Sequence, residues 1–199
     1  MLKFYRRLQL ILFFLCILFK LNSQTSTNDD DILYWSQSHR LTFENFKGKP
    51  TQSDTTLHEA SPKMLTHKLG AIVKSIDVRL LTERDKTTFT IQAGMKQSLS
   101  WIKDYGDTTQ LKHEQGHFDI CEIYARILRR DIKNAKSLLE AKDIYEKTSA
   151  DEEVEQENYD KDNTYQAGGI TSDWKEKISK RLTELEAYKN PVVTLLIDK

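Results

Sequence analysis

Residues 113–117 of this 199-residue chain read His-Glu-Gln-Gly-His. Two histidines four positions apart on an α-helix lie about 40° apart around its axis and one turn apart along it. Both imidazoles therefore leave the same face and can share one zinc ion. Glu114, beside the first histidine, is then placed to take a proton from a zinc-activated water as general base. Random order in a chain of this composition produces H-E-x-x-H in roughly 1% of cases. The competing reading is a pair of histidines that border a core helix and are satisfied by hydrogen bonds. Against it stands Glu114, a carboxylate that is costly near an apolar stripe without a charged partner.

The residues that follow test the helix itself. With His113 at 0° and about 100° per residue, one side collects His117, Ile120, Cys121, Tyr124, Ala125, Ile127 and Leu128. The opposite side holds Gln115, Asp119, Glu122, Arg126, Arg129 and Arg130. The histidines thus head the buried stripe, where the inner wall of a cleft needs its ligands. Glu122 and Asp119 face away from both histidines, which excludes them as a third ligand on a straight helix. Cys121 reads as a small core residue. Gly116 in mid-helix costs about 1 kcal/mol relative to alanine, which suggests close approach of another segment or of substrate.

The elements that must position this helix alternate in type along the chain. Strands come first: one or two short ones before the Gly48–Pro50 turn, a clear one over 71–80 with Ile72, Ile76, Val78 and Leu80 on one face, and a second over 87–93 with Phe89, Ile91 and Ala93 alternating. TERDK between the last two makes a hairpin. Residues 98–102 give a further short strand. Asp107, with Gln110 three residues on, caps a helix that runs to about residue 139 without a proline. Residues 141–158 are helical, with a solvated acidic face at 151–157, and 159–170 form a loop. A helix capped by Ser172 carries Trp174, Ile178, Leu182 and Leu185 inward and ends at Asn190–Pro191, before a last strand over 192–197. Trp35, Trp101 and Trp174 read as core or cleft-rim packing. The fold class is α+β, with antiparallel strands ahead of the active-site helix and further helices behind it.

Composition limits the partners. Thirty basic residues balance thirty acidic ones, so no polyanion is implied and nucleic acid is not expected as a partner. The first 24 residues hold four basic and no acidic side chains, and 8–19 contain eleven apolar residues in twelve. This is the pattern of an export signal over 1–24, cut near 22–24, since the run is short for a bilayer span; an uncleaved anchor is the alternative. Residues 25–31 are a polar linker and 32–199 one domain. Removal of the leader leaves one cysteine, Cys121, and no intramolecular disulfide. The expected location is periplasmic or extracellular, with no stable membrane insertion after cleavage.

The run LKHEQGHFDICEIYARILRR at 111–130, with Ser100-Trp101 upstream and LTFENFKG at 41–48, resembles a bacterial family of predicted secreted zinc-dependent proteases first catalogued as a domain of unknown function. The resemblance extends from about residue 33 to 182. It implies a zincin-like fold and a peptidase activity on peptide or protein substrates. Members of the family tend to carry a tyrosine–aspartate pair, then a threonine and a histidine–glycine pair. Tyr159 and Asp160 match the first pair here, but Asn163 stands for the threonine and Tyr165 for the histidine. No histidine follows His117, so a third ligand must be Asp160, Glu152, Glu153, the phenolate of Tyr165, or upstream His39, His58 or His67. A carboxylate would complete the two-histidine, one-acid set of hydrolytic zinc sites. Tyr165 or Tyr159 could also help an oxyanion. In zincin-like folds the strand before the helix borders the cleft, so 98–102 could pair an extended peptide. Two alternatives stay open: a metal-binding but catalytically silent envelope protein without a competent third ligand, and an interaction module whose histidines are structural.

Overall fold

The computed structural model describes residues 29–50, 70–84, 86–163 and 170–196. Residues 1–24, read above as an export signal, and His58, His67 and Tyr165 lie outside the described residues. Contacts divide the chain after Asp31; a 3-10 turn, Asp29–Asp31, precedes the division and the unit from Ile32 onward follows it.

The sheet is built around one strand. Strand β1 is Ile32–Tyr34, β2 Gly70–Ala71, β3 Lys74–Glu83 and β4 Lys86–Lys96. Phe89, Ile91, Ala93 and Met95 of β4 alternate inward and are buried, as the period of two requires. β3 pairs antiparallel along the whole of β4, from Lys74↔Met95 to Glu83↔Lys86. The hairpin turn puts Arg84 at φ 56°, the left-handed region that tight hairpin turns demand. The other edge of β4 is shared: β1 pairs with its far end and β6, Val192–Leu196, with its beginning, at Tyr34↔Gly94 and Thr90↔Val192 respectively. The expected strand over 98–102 shrinks to β5, Trp101–Ile102, whose residues pair with β2 in a separate two-stranded ladder. Leu99 and Ser100 instead turn back on Lys96 through backbone hydrogen bonds.

Three helices among the described residues complete an α+β fold: α1 Thr108–Ile132, α2 Leu138–Asp162 and α3 Ser172–Glu184. Asp107 caps α1 by accepting from Thr109 N at 2.8 Å. Thr171, not Ser172, caps α3. α2 turns a narrow stripe inward at Ala141, Thr148, Gln156 and Tyr159, so a helix of low apolar content still docks through one line of contacts. No helix among the described residues is long and apolar enough to cross a membrane.

α1 departs from the two-sided reading of its wheel. Ile120, Cys121, Tyr124, Ala125 and Leu128 are buried as expected, but so are Gln115, Asp119, Glu122, Arg126 and Arg129 on the opposite side. Their charges are matched inside the protein. Arg126 Nε and Arg129 Nη1 both donate to Glu122 Oε1 at 2.9 Å, and Arg129 Nε donates to Ile91 O at 2.9 Å. Arg126 Nη1 reaches Leu182 O at 2.8 Å. Asp119 accepts from Trp35 Nε1 at 2.8 Å, from Arg40 Nη1 at 3.0 Å and from Gln115 Nε2 at 2.8 Å. A polar stripe at helical spacing reads as solvent-facing only when its partners are unknown; here β4, α3 and the N-terminal segment supply them. Replacing Glu122 with alanine leaves two buried guanidinium groups without their shared carboxylate, and should cost about 3–5 kcal/mol of unfolding free energy in a urea titration.

Candidate metal centre

The first turns of α1 and the last turn of α2 meet at the histidines. His113 and His117 present their rings nearly at right angles, 79° apart, with Nε2 atoms 3.1 Å from each other. Asp160 enters from α2, its Oδ1 3.2 Å from His113 Nε2 and 2.9 Å from His117 Nε2. Tyr159 and Asp160 were expected in a loop and instead lie on helix, because α2 continues to Asp162. Asn163 ends it by donating Nδ2 to Tyr159 O at 2.9 Å, while its Oδ1 accepts from Thr171 N at 2.6 Å. A polar, turn-rich run can thus close a helix from within rather than break it.

Three donor atoms therefore form a nearly equilateral triangle with edges of 2.9–3.2 Å. The ligands of a tetrahedral zinc ion bound at about 2.0–2.1 Å stand about 3.3 Å apart, so the spacing fits one face of such a tetrahedron and leaves a corner over. The set of two imidazoles and one carboxylate also suits other first-row divalent ions. His113 and His117 are buried, whereas the Asp160 side chain is 61% exposed, so the carboxylate stands at the solvent edge of the cluster.

The glycine of the motif is explained by the same contact. A Cβ on Gly116 would stand 2.0 Å from Tyr159 Oη and 2.4 Å from its Cζ. The buried phenol occupies that gap and donates to His113 O at 3.0 Å, with its ring 5.1 Å from that of His113 and 4.7 Å from that of His117. The close approach inferred from Gly116 is thus made by another segment. Tyr159 is committed to the helix backbone, so it braces the site and does not present its hydroxyl as an oxyanion helper. Trp174 closes the far side of the phenol, edge-on at 5.2 Å.

Glu114 is buried, and its Oε1 lies 2.8 Å from where a Cβ on Gly70 of β2 would stand. The acid thus lies against the β2–β5 ladder, which approaches it through a residue without a side chain. The electrostatics are those of charges gathered in a poorly hydrated place. Burial alone would lower the pKa of His117, but its hydrogen bond to Asp160 and the charges of Glu114 and Asp160 prevail and raise it. Burial would raise Asp160, yet its bonds from His113 and His117 hold it well below the usual carboxylate range. Burial, then the charge of Glu114, pushes the Tyr159 phenol far up, so it stays protonated.

The other sequence candidates fall elsewhere. Glu152 lies about two turns before Asp160 on α2, accepting from Lys74 Nζ at 2.9 Å and from Gln156 Nε2 at 3.1 Å. Glu153 is exposed on α2. His39 is exposed and hydrogen-bonded to Ser38 Oγ. Gln156 escaped the sequence reading, although its place four residues before Asp160 sets both on one face of α2. It stands against His117, its Oε1 2.6 Å from Nδ1. Two clefts, of about 340 and 220 Å³, open on the back of α1 around Trp35 and Arg126, and neither is lined by His113, His117 or Asp160. The convergent donor atoms lie at the other face, outside both clefts.

Comparison with family models, with curated proteins and with solved structures finds no match.

Two outcomes follow from the geometry. Gly116→Ala must displace Tyr159 and should lower stability by about 1–3 kcal/mol, the range for overpacking, measured by urea unfolding. In metal-free protein, the raised pKa of His117 gives a stabilising contribution that is full below its ordinary value of 6.5 and is lost as pH rises through the folded value. Asp160→Asn should flatten that part of the stability-against-pH curve, as read by unfolding at a series of pH values in chelator.

Proposed function

We propose that this chain is a zinc-dependent peptidase of zincin-like fold that works outside the cytoplasm. The observation that carries the reading is the convergence of His113 Nε2, His117 Nε2 and Asp160 Oδ1 within 3.2 Å of one another, with an acid next in sequence to the first histidine. When bound, zinc would supply a Lewis acid that makes a water easier to deprotonate and polarises a carbonyl. His113, His117 and Asp160 would hold it, Asp160 completing the two-histidine, one-carboxylate set.

Glu114 is the residue for proton transfer. Its carboxylate is held in a nearly water-free position beside His113, where a general base keeps its orientation between turnovers. Tyr159 fixes the peptide unit of His113 and so the direction of that ring. The resemblance to secreted zinc proteases supports peptides as substrates, and the positive, apolar leader supports export. One edge of β5 is already taken by β2, so an extended peptide pairing there would use the other.

A catalytically silent metal-binding protein is the second reading, favoured by the depth at which Glu114 is buried and by the commitment of Tyr159 to the backbone. Metal analysis separates both from an interaction module: the purified protein should carry one zinc per chain, and His113→Ala, His117→Ala or Asp160→Ala should lose it. Glu114→Gln should keep the metal and reduce hydrolysis of unstructured peptide mixtures by about 10²–10⁴-fold. Zinc without any hydrolysis in the wild type would leave the silent reading, and absence of stoichiometric zinc would end both.

A further inference from the structure

We infer that the outer edge of β3 is an interaction surface for a second copy of this chain, which pairs with it antiparallel about a two-fold axis at Val78. Neither bound zinc nor hydrolysis bears on it.

The backbone decides which groups that edge presents. On a central antiparallel strand each residue turns its N–H and C=O to one side, and successive residues alternate. Ile91 N donates to Pro191 O at 2.8 Å, and Ala93 O accepts from Trp35 N at 2.9 Å, so these two residues of β4 address the side away from β3. Val78 and Ile76, opposite them in register, therefore point their own N–H and C=O away from β4, and the alternation adds Leu80. No strand among the described residues pairs with that edge. β3 is ten residues long, with no proline and no bulge in its pairing to β4, whereas sheet edges are ordinarily kept from pairing by such interruptions. Leu80 and Leu81 are 57% and 62% exposed, one on each face of the strand.

The side chains select the occupant. Ile76-Asp77-Val78-Arg79-Leu80 runs apolar, acidic, apolar, basic, apolar, a pattern complementary to itself when reversed. Pairing about Val78 sets Val78 against Val78 and Ile76 against Leu80 of the second copy as hydrogen-bonded pairs. Asp77 then meets Arg79 of the second copy, and Arg79 its Asp77, at the narrow positions between, where opposed side chains come closest. Moving the axis by one residue, to Asp77 or to Arg79, opposes two aspartates or two arginines directly, which is unfavourable. An axis between residues would set outward-pointing groups against residues that face β4 and leave their hydrogen bonds unmade. Charge and backbone thus agree on a single register. The pairing closes at two copies, because each contributes the same edge, and it brings Leu80 beside Ile76 of the second copy on one face of a continuous sheet.

The test is sedimentation of the purified full-length chain over a dilution series, with amide hydrogen exchange at both ends of it and thermal unfolding to confirm that each variant is folded. Wild type should show a reversible monomer–dimer equilibrium, and the amides of Ile76, Val78 and Leu80 should gain protection as the dimer fills. Asp77→Arg or Arg79→Asp alone opposes like charges twice and should weaken dimerisation about tenfold or more. The two substitutions together exchange the signs and should recover it. Val78→Pro removes an outward N–H and no bond to β4, and should abolish the dimer; should it fail to fold, the charge variants decide. Association through any other part of the chain is blind to all of these changes. A wild type that stays monomeric, edge amides protected equally at every concentration, or a dimer that the single charge variants leave unchanged or the paired exchange does not recover would overturn the inference.

Discussion

The arrangement depends on a phenol set in the space where a helix lacks a side chain. Tyr159 fills the notch at Gly116, and by doing so fixes how near the end of α2 comes to the start of α1. That separation in turn decides whether the carboxylate one residue later reaches both imidazoles. A larger residue in place of the glycine would push the second helix outward, and an oxygen displaced by even 1 Å would no longer close the triangle of donors. The motif's glycine therefore belongs to the candidate site as much as its histidines do, though it contributes no donor atom.

Burial of charge is the second organising constraint. α1 is surrounded on nearly every side, and the buried charges on its back meet partners: Glu122 joins Arg126 and Arg129, and Asp119 gathers Trp35, Arg40 and Gln115. Such pairs recover desolvation only when their geometry is complete, so they fix the rotation of the helix about its axis. The direction of the two histidines follows from that rotation. The cluster of histidine and carboxylate donors on one face and the ion pairs on the other are two consequences of a single fixed orientation.

Much of this was legible in the sequence, and the limits are instructive. Alternation of apolar residues located β4, where burial imposes that period on a strand with one dry face, and the spacing of four between Trp174, Ile178 and Leu182 located α3; β3 lies three residues later than its alternation suggested, with Ile76 buried but Leu80 exposed. The helical spacing of His113 and His117 put them on one face, and Gly116 announced a close neighbour. What periodicity could not supply was the identity of that neighbour, since Tyr159 comes 43 residues later and is brought back by a tertiary turn. The helical state of Asp160 was hidden because the end of α2 is written in residues that usually favour loops, and Asn163 satisfies them locally. The buried back of α1 was hidden for a different reason: a wheel shows which residues are polar, and only the fold shows what they meet.

The shared edge of β4 has a kinetic meaning. β1 and β6, drawn from opposite ends of the unit, lie one after the other along that edge, while the local β3–β4 hairpin occupies the other. The hairpin can form early from neighbouring residues, but the row beside it waits for two distant segments to arrive, and contacts of such long sequence separation slow folding.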